Sequence, residues 1–378
     1  MRRGATAGQA AACLLKPLVG AALIVGSCVL PALAAEPGAP QPVTLDTAER
    51  PAASTPDEPL AEQYSLEAAM HFLDSASLDW QKSRNCMTCH TNYLYLIVRP
   101  AVGADNEAHR AVRDYAERLV TERWAERGPR WDAEVVMSAM TLAYNDRLTS
   151  GRLSPVARQA LDRMWTVQQE DGGFDWLKCE WPPMESDDDF GAPMAALAAL
   201  VAPDDYALSP AAQQGLEKLR GYLASQPPPS LHHAAMWLWA DSFEPGAVLT
   251  EAQRDEVLGE LFARQRPDGG WALPTLGDWT RHDGQPQDTD SSDGYATGLV
   301  LYIARISGIA ADDERLARGA AWLHAHQRAS GRWFTRSLWK DNHHFLSHAG
   351  TAWAILGLAE CEQLVPSPNA SEQARAGR

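Results

Sequence analysis

Helical runs of two kinds alternate along this chain, and that alternation restricts the fold more than any other feature. Amphipathic runs at 65–78, 107–126, 154–169, 209–225, 250–266 and 313–327 are each followed by a run that is apolar on every side. The apolar partners fall at 90–101, 133–144, 190–201, 231–240, 295–309 and 348–364. A one-sided helix turns its polar face to water, whereas an all-apolar helix must be enclosed. Six such pairs predict an all-α protein, a single (α/α)6 toroid of six helix pairs with the apolar helices inside. Ser154 and Pro155 suit the N-cap and first turn of one outer helix.

A short phrase recurs where outer helices end. It reads Gln169-Glu170-Asp171-Gly172-Gly173-Phe174, then Gln265 to Trp271 with Gly269 and Gly270, then Gln327 to Trp333 with Gly331. Gln closes the helix, Gly permits a left-handed turn, and the aromatic re-enters the core. In such a ring the inner helices run the same way, so their N-termini share one rim. The residues that open them are Cys86 to His90, Asp187 to Asp189, His232 and His233, Asp293, and His343, His344 and His348. The candidate polar groups are therefore expected at one mouth, where a ligand would sit.

The N-terminus has the composition of an export signal. Arg2 and Arg3 precede an apolar run, Leu18 to Leu33, that ends in Ala32-Leu33-Ala34. Residues 1–35 read as a signal peptide and the protein as exported and periplasmic. Val25-Gly26-Ser27-Cys28 offers the alternative of a membrane-anchored lipoprotein through Cys28. Residues 36–62, rich in Pro, Ala and Glu, read as a flexible linker, 63–365 as the toroid and 366–378 as a disordered tail. No later run is long and apolar enough to suggest a membrane span in the mature chain. A net charge of −16, with three cations and no acids in the first 35 residues, disfavours nucleic acid and anionic membrane surfaces as partners.

Cys86-Met87-Thr88-Cys89-His90 is the sharpest local motif. Cys-x-x-Cys-His is the attachment sequence of c-type haem, in which two thiols become thioethers and the His ligates iron. Export suits that chemistry, and a haem would imply an electron-transfer partner and a further axial donor, a Met or His from the rim. A Cys86–Cys89 disulfide, half of a metal site, or a chance match at a helix start are the other readings. Cys179 and Cys361 either pair or stay buried singly. The run Asp187-Asp188-Asp189 places like charges together, which raises the pKa of an enclosed carboxyl and suits a general acid. Acids at a helix start also simply complement its dipole. Trp237 and Trp239, after His232 and His233, suggest a Trp-lined mouth or simple core.

The repeated Gln-x-x-x-Gly-x-aromatic junctions resemble those of terpenoid cyclases and protein prenyltransferase β-subunits. Trp181-Pro182-Pro183-Met184-Glu185-Ser186-Asp187 and Gly331 to Leu338 are similar to squalene-cyclase-like bacterial proteins. The resemblance covers about residues 65–365 and implies an (α/α)6 toroid and an apolar, isoprenoid small molecule as ligand. Cyclases that protonate an alkene use Asp-x-Asp-Asp. Matched to Glu185-Ser186-Asp187-Asp188, that motif implies Asp187 as the acid with Asp188 beside it. Prenyltransferases hold zinc with Asp, Cys and His. Asp293-Gly294-Tyr295 resembles their Asp-Gly-Cys-Tyr element without its Cys, and His348 lies near their His, so Asp293 and His348 are the implied zinc ligands. His343 or His344 could complete that site, while His90 would hold a haem iron. Two functions follow: a haem-bearing toroid with redox or cyclase-like chemistry, or a non-catalytic binding scaffold with Cys86–Cys89 as a disulfide.

Overall fold

The computed structural model describes residues 42–103, 106–341 and 345–365. The export segment with Cys28, His343 and His344, and the tail from Pro366 lie outside the described residues.

Twelve main helices follow the expected alternation. The odd-numbered, outer ones are α1 (Leu66–Arg84), α3 (Glu107–Arg118), α5 (Pro155–Val167), α7 (Pro210–Ser225), α9 (Glu251–Ala263) and α11 (Glu314–His326). The even-numbered, inner ones are α2 (Asn92–Ala101), α4 (Asp132–Thr149), α6 (Gly191–Val201), α8 (Leu231–Asp241), α10 (Gly294–Ile306) and α12 (Leu346–Glu360). A π-helical turn, Leu119–Arg123, and a last turn, Trp124–Arg127, prolong α3. Side chains cap the outer helices as their sequences dictate. Ser65, Asn106, Ser154, Ser209 and Thr250 each accept a backbone N–H of their first turn.

Each inner helix packs on the next, α2 on α4, α6, α8, α10 and α12 in turn, and α12 returns to α2, which closes the ring. All of α6 is buried, and so is nearly all of α10 and α12, as their apolar composition requires. No strand occurs among the described residues. None of their helices is long and apolar enough to cross a membrane.

The junction phrase is the mortar between outer helices. Gly172, Gly269 and Gly331 have φ of 97°, 94° and 89°. A Cβ on them would come within 2.3, 2.8 and 2.3 Å of the carbonyl oxygens of Lys218, Arg318 and Ala68, on the following outer helix. Only glycine fits both restrictions. The amide of Gln265 donates to Gly269 O in its own turn and to Arg315 O on α11. Gln327 donates likewise to Gly331 O and to Ser65 O at the start of α1, so the last outer helix is tied to the first. In the first copy this role belongs to Gln168, which donates to Gly172 O and Gly215 O. The register that starts the phrase at Gln169 is therefore off by one, and Gln169 is exposed.

The segment expected as a linker is held on the ring over its described part, 42–62. Arg332 donates to the carbonyls of Ala52 and Ala53 and pairs with Glu58 at 2.7 Å. Arg328 donates to Glu58 O, Ala61 N–H to Gln327 O, and Ser54 Oγ meets Ser347 Oγ at 2.8 Å. Its low hydrophobicity gave no sign of this, because the contacts are polar and come from residues some 270 positions away.

Candidate functional site

The inner-helix N-termini do share a rim. Thr91 Oγ1 at the start of α2 reaches His348 Nδ1 on α12 at 3.0 Å. His232 Nε2 on α8 meets the Tyr295 hydroxyl on α10 at 2.9 Å, and His233 Nε2 meets Asp187 Oδ1 at 3.0 Å.

Cys86 to Thr91 form the turn between α1 and α2. Asn85 ends α1 in the left-handed region (φ 47°), and the Thr88 carbonyl accepts from Thr91 and Tyr93 to start α2. This delivers Cys86, Cys89 and His90 to one cleft of about 180 Å3, lined also by Trp80, Trp131, Cys179, Trp181 and Glu185. No disulfide joins the two motif thiols. Burial holds each above the ordinary thiol range, Cys89 far above it. Neither is a ready thiolate nucleophile.

His90 is held with unusual completeness. Its ring stacks on Phe345 at 5.0 Å and meets the edge of Trp80 at 4.8 Å. Nδ1 shares a hydrogen bond of 2.8 Å with Thr91 Oγ1, and no described residue bonds Nε2. Burial keeps the ring neutral, and burial likewise pushes His348 down to about 3. The Thr91 hydroxyl has one proton to give, so it donates to one Nδ1 and accepts from the other. The two imidazoles therefore hold opposite tautomers.

The cleft's other wall is the loop between α5 and α6. Trp181 and Glu185 exchange backbone hydrogen bonds of 3.1 and 3.3 Å, and Trp176 Nε1 donates to Met184 O at 2.8 Å. Burial pushes the Glu185 carboxyl up to about 7, against the opposing pull of the Cys89 thiol bonded to it. Burial thus favours the protonated form of Glu185, which its sequence position did not reveal. Only the fold buries it.

The triple-Asp run does something else. Burial raises Asp187, but hydrogen bonds from His233, Ser186 and the Asp189 N–H outweigh it and hold the carboxyl below its ordinary value. An ionised, triply bonded carboxylate is a helix cap and a histidine partner rather than a proton donor. Asp188 accepts from Trp176 N–H and pairs with half-exposed Lys178, and Asp189 accepts from the Tyr222 hydroxyl.

Asp293 is not brought into a ligand set with His90 and His348. One of its oxygens accepts from Ala296 N–H and Thr335 Oγ1 and the other from Leu273 N–H, while burial raises its pKa to about 6. No group of three or more His, Cys, Asp or Glu able to hold a metal ion occurs among the described residues. Cys179 sits at the rim and Cys361 follows the far end of α12, a helix of 15 residues. At about 1.5 Å per residue, roughly 20 Å of helix separates them, too far to pair.

The lumen beneath the rim is filled. Trp239 packs against Trp353 (5.1 Å), Tyr302 and Tyr144, and the hydroxyls of Tyr144 and Tyr302 are in contact. Trp237 instead lines an outer crevice between α7, α8 and α9. The tryptophans of the mouth are Trp80, Trp131, Trp181 and Trp339.

No family model matches the sequence, and no curated protein matches it. Among solved structures, the chain is similar to the apo form of the type II terpene cyclase MstE from Scytonema. Identity is 15% and the TM-score 0.47, over 79% of this chain and 97% of that one. A variant of that cyclase bound to its product merosterolic acid A gives 15% and 0.48, over 79% and 96%. The GH76A α-1,6-mannanase from Salegentibacter sp. HEL1_6 gives 10% and 0.48, over 79% and 99%. A cyclase and a glycosidase share the likeness equally, so it leaves the chemistry open.

Proposed function

We propose that the chain is an exported toroid carrying a c-type haem on Cys86 and Cys89, with His90 as an iron ligand, for redox chemistry at the rim. The observation that carries this reading is the state of His90. Its Nδ1 is tied to Thr91, its ring is clamped by Phe345 and Trp80, and Nε2 has no partner among the described residues, beside two thiols that no disulfide joins. A metal-ligating His is commonly oriented through its other nitrogen in this way. With His90 using Nε2, Nδ1–H donates to Thr91 and Thr91 donates to His348 Nδ1. His348 then orients the ligand and is not one itself.

The donor set fits the group. The cleft as it stands, about 180 Å3, is below the roughly 300 Å3 at which ligand pockets begin. The cleft in this form is therefore too small to enclose the group. Haem supplies one-electron chemistry when bound. The protein's part is to hold the imidazole, to bring Glu185 to the cleft, and to surround the site with indole faces suited to an apolar, isoprenoid-class ligand. Such a ligand would lie at the mouth, since aromatic side chains fill the lumen. Ionised Asp187 argues against proton-initiated cyclisation, which would fall to Glu185 if it occurs.

The test is the visible spectrum of protein exported by cells competent to mature c-type haem. A Soret band that persists after denaturation, and is lost in Cys86→Ser/Cys89→Ser, supports the proposal. Protein without it leaves the toroid as a binding scaffold.

A further inference from the structure

A separate cavity of about 280 Å3 lies between the 42–62 strap, α1 and the start of α12, close to the roughly 300 Å3 at which ligand pockets begin. Its α1 wall is Ala76, Asp79, Trp80, Ser83 and Arg84, positions three and four apart that share one helix face. Arg50 of the strap lines the same cavity. Arg332 fixes that part of the strap by donating to the carbonyls of Ala52 and Ala53. We infer that this cavity binds the oxyanion head, carboxylate or phosphate, of an amphiphile whose apolar chain packs on Trp80 and Phe345. The inference rests on the apolar-ligand part of the reading above and not on the haem.

The guanidinium groups of Arg50 and Arg84 carry the argument. Arg113, Arg281, Arg315 and Arg336 each donate to a carboxylate at 2.6 to 2.8 Å. Among the described residues Arg50 has only Asp79, 3.6 Å from its Nε and beyond hydrogen-bond distance. Arg84 has no hydrogen bond or ion pair among them, and its guanidinium lies over the Trp80 ring at 5.4 Å. Two planar forks with unspent donors beside one cavity suit the paired oxygens of a carboxylate or phosphate. In a chain of 49 acidic and 33 basic side chains, such a pair is not what the average surface would supply. Asp79 is the one acid among the described residues that line the cavity. Its partner Arg50 is 72% exposed, so the pair offsets little. Trp80 and Phe345 are also the rings that clamp His90, so a chain packed on them adjoins the mouth.

The experiment titrates the purified protein by calorimetry with dodecanoate, dodecyl phosphate, dodecanol, inorganic phosphate and farnesol, with thermal unfolding as a check on folding. The two dodecyl anions should bind at one site, at least tenfold tighter than dodecanol or inorganic phosphate, and the tighter of them names the head. Arg50→Gln/Arg84→Gln should weaken both anions at least tenfold and leave dodecanol unchanged. Asp79→Asn should tighten them, and added salt should weaken them. Anions that bind the double variant as tightly as the wild type overturn the inference. So does dodecanol binding as tightly as dodecanoate, or inorganic phosphate as tightly as dodecyl phosphate. If farnesol binds and no dodecyl anion does, this inference falls and the apolar-ligand reading stands. If nothing binds, both fall, and the haem reading is untouched.

Discussion

The hydroxyls of Tyr144 and Tyr302 meet across the lumen, and α4 and α10, which carry them, stand opposite each other in the ring of six. A ring whose centre is bridged in this way has no through-channel at that level. A ligand entering the ring would meet this bridge before it could cross. Removing one hydroxyl strands the other in a dry interior. Tyr144→Phe should cost about 1–3 kcal/mol, and the double variant Tyr144→Phe/Tyr302→Phe less than the two singles combined. Urea unfolding of the three variants measures this, and strict additivity would mean that the hydroxyls do not interact.

The junctions make a sharper test of register. Gln168 bridges two segments and Gln169 bridges none. Gln168→Ala should lose about 1–3 kcal/mol and Gln169→Ala less than about 0.5. Gly331→Ala meets both a positive φ and the Ala68 backbone, and should cost roughly 2–4 kcal/mol. Equal losses for Gln168→Ala and Gln169→Ala in thermal unfolding would count against the assignment.

Much of this was legible in the sequence, and the exceptions have physical causes. Helix order, the closed ring and the shared rim follow from periodicity and from glycines that only a left-handed turn demands. Gln168 and Gln169 are adjacent and chemically identical, so only their partners separate them. Glu185 looked like the weak first member of an acidic motif, and Asp187 like its acid. The two carboxyls shift in opposite directions, because His233, Ser186 and a backbone N–H surround Asp187 while apolar groups and a thiol enclose Glu185. Three-dimensional environment, not residue type, sets those pKa values. The 42–62 strap was hidden for a similar reason, since its partners Arg328 and Arg332 lie at the far end of the chain.

Glu185 gives a pH dependence of definite sign in the haem-free chain. Its folded pKa of about 7 lies above its ordinary 4.5. Its contribution is therefore fully present below about pH 4.5 and is lost as pH rises through about 7. A shift of this size corresponds to about 3 kcal/mol. Asp293, raised to about 6, acts in the same direction over a lower range. Glu185→Gln should abolish the decline between about pH 6 and 7 and leave the lower part. A variant with the wild-type profile would show that Glu185 is not the titrating group.

Asp187 acts with the opposite sign. Its folded pKa is lowered, so its contribution is present above the ordinary carboxylate range and is lost as pH falls through the folded value. Asp187→Asn should destabilise the protein at neutral pH by about 1–3 kcal/mol and remove that part of the acid limb. It should leave turnover of any rim substrate within a few-fold. A loss of turnover of about a hundredfold or more, the low end for a missing general acid, would restore the acid role.

The intact mass of the exported, denatured protein tests the central claim most directly. The account predicts a chain heavier by one haem, with the added mass on the peptide that contains Cys86, Cys89 and His90. A chain of unmodified mass whose Cys86 and Cys89 both react with a thiol reagent, from cells that load haem onto other Cys-x-x-Cys-His proteins, would contradict it.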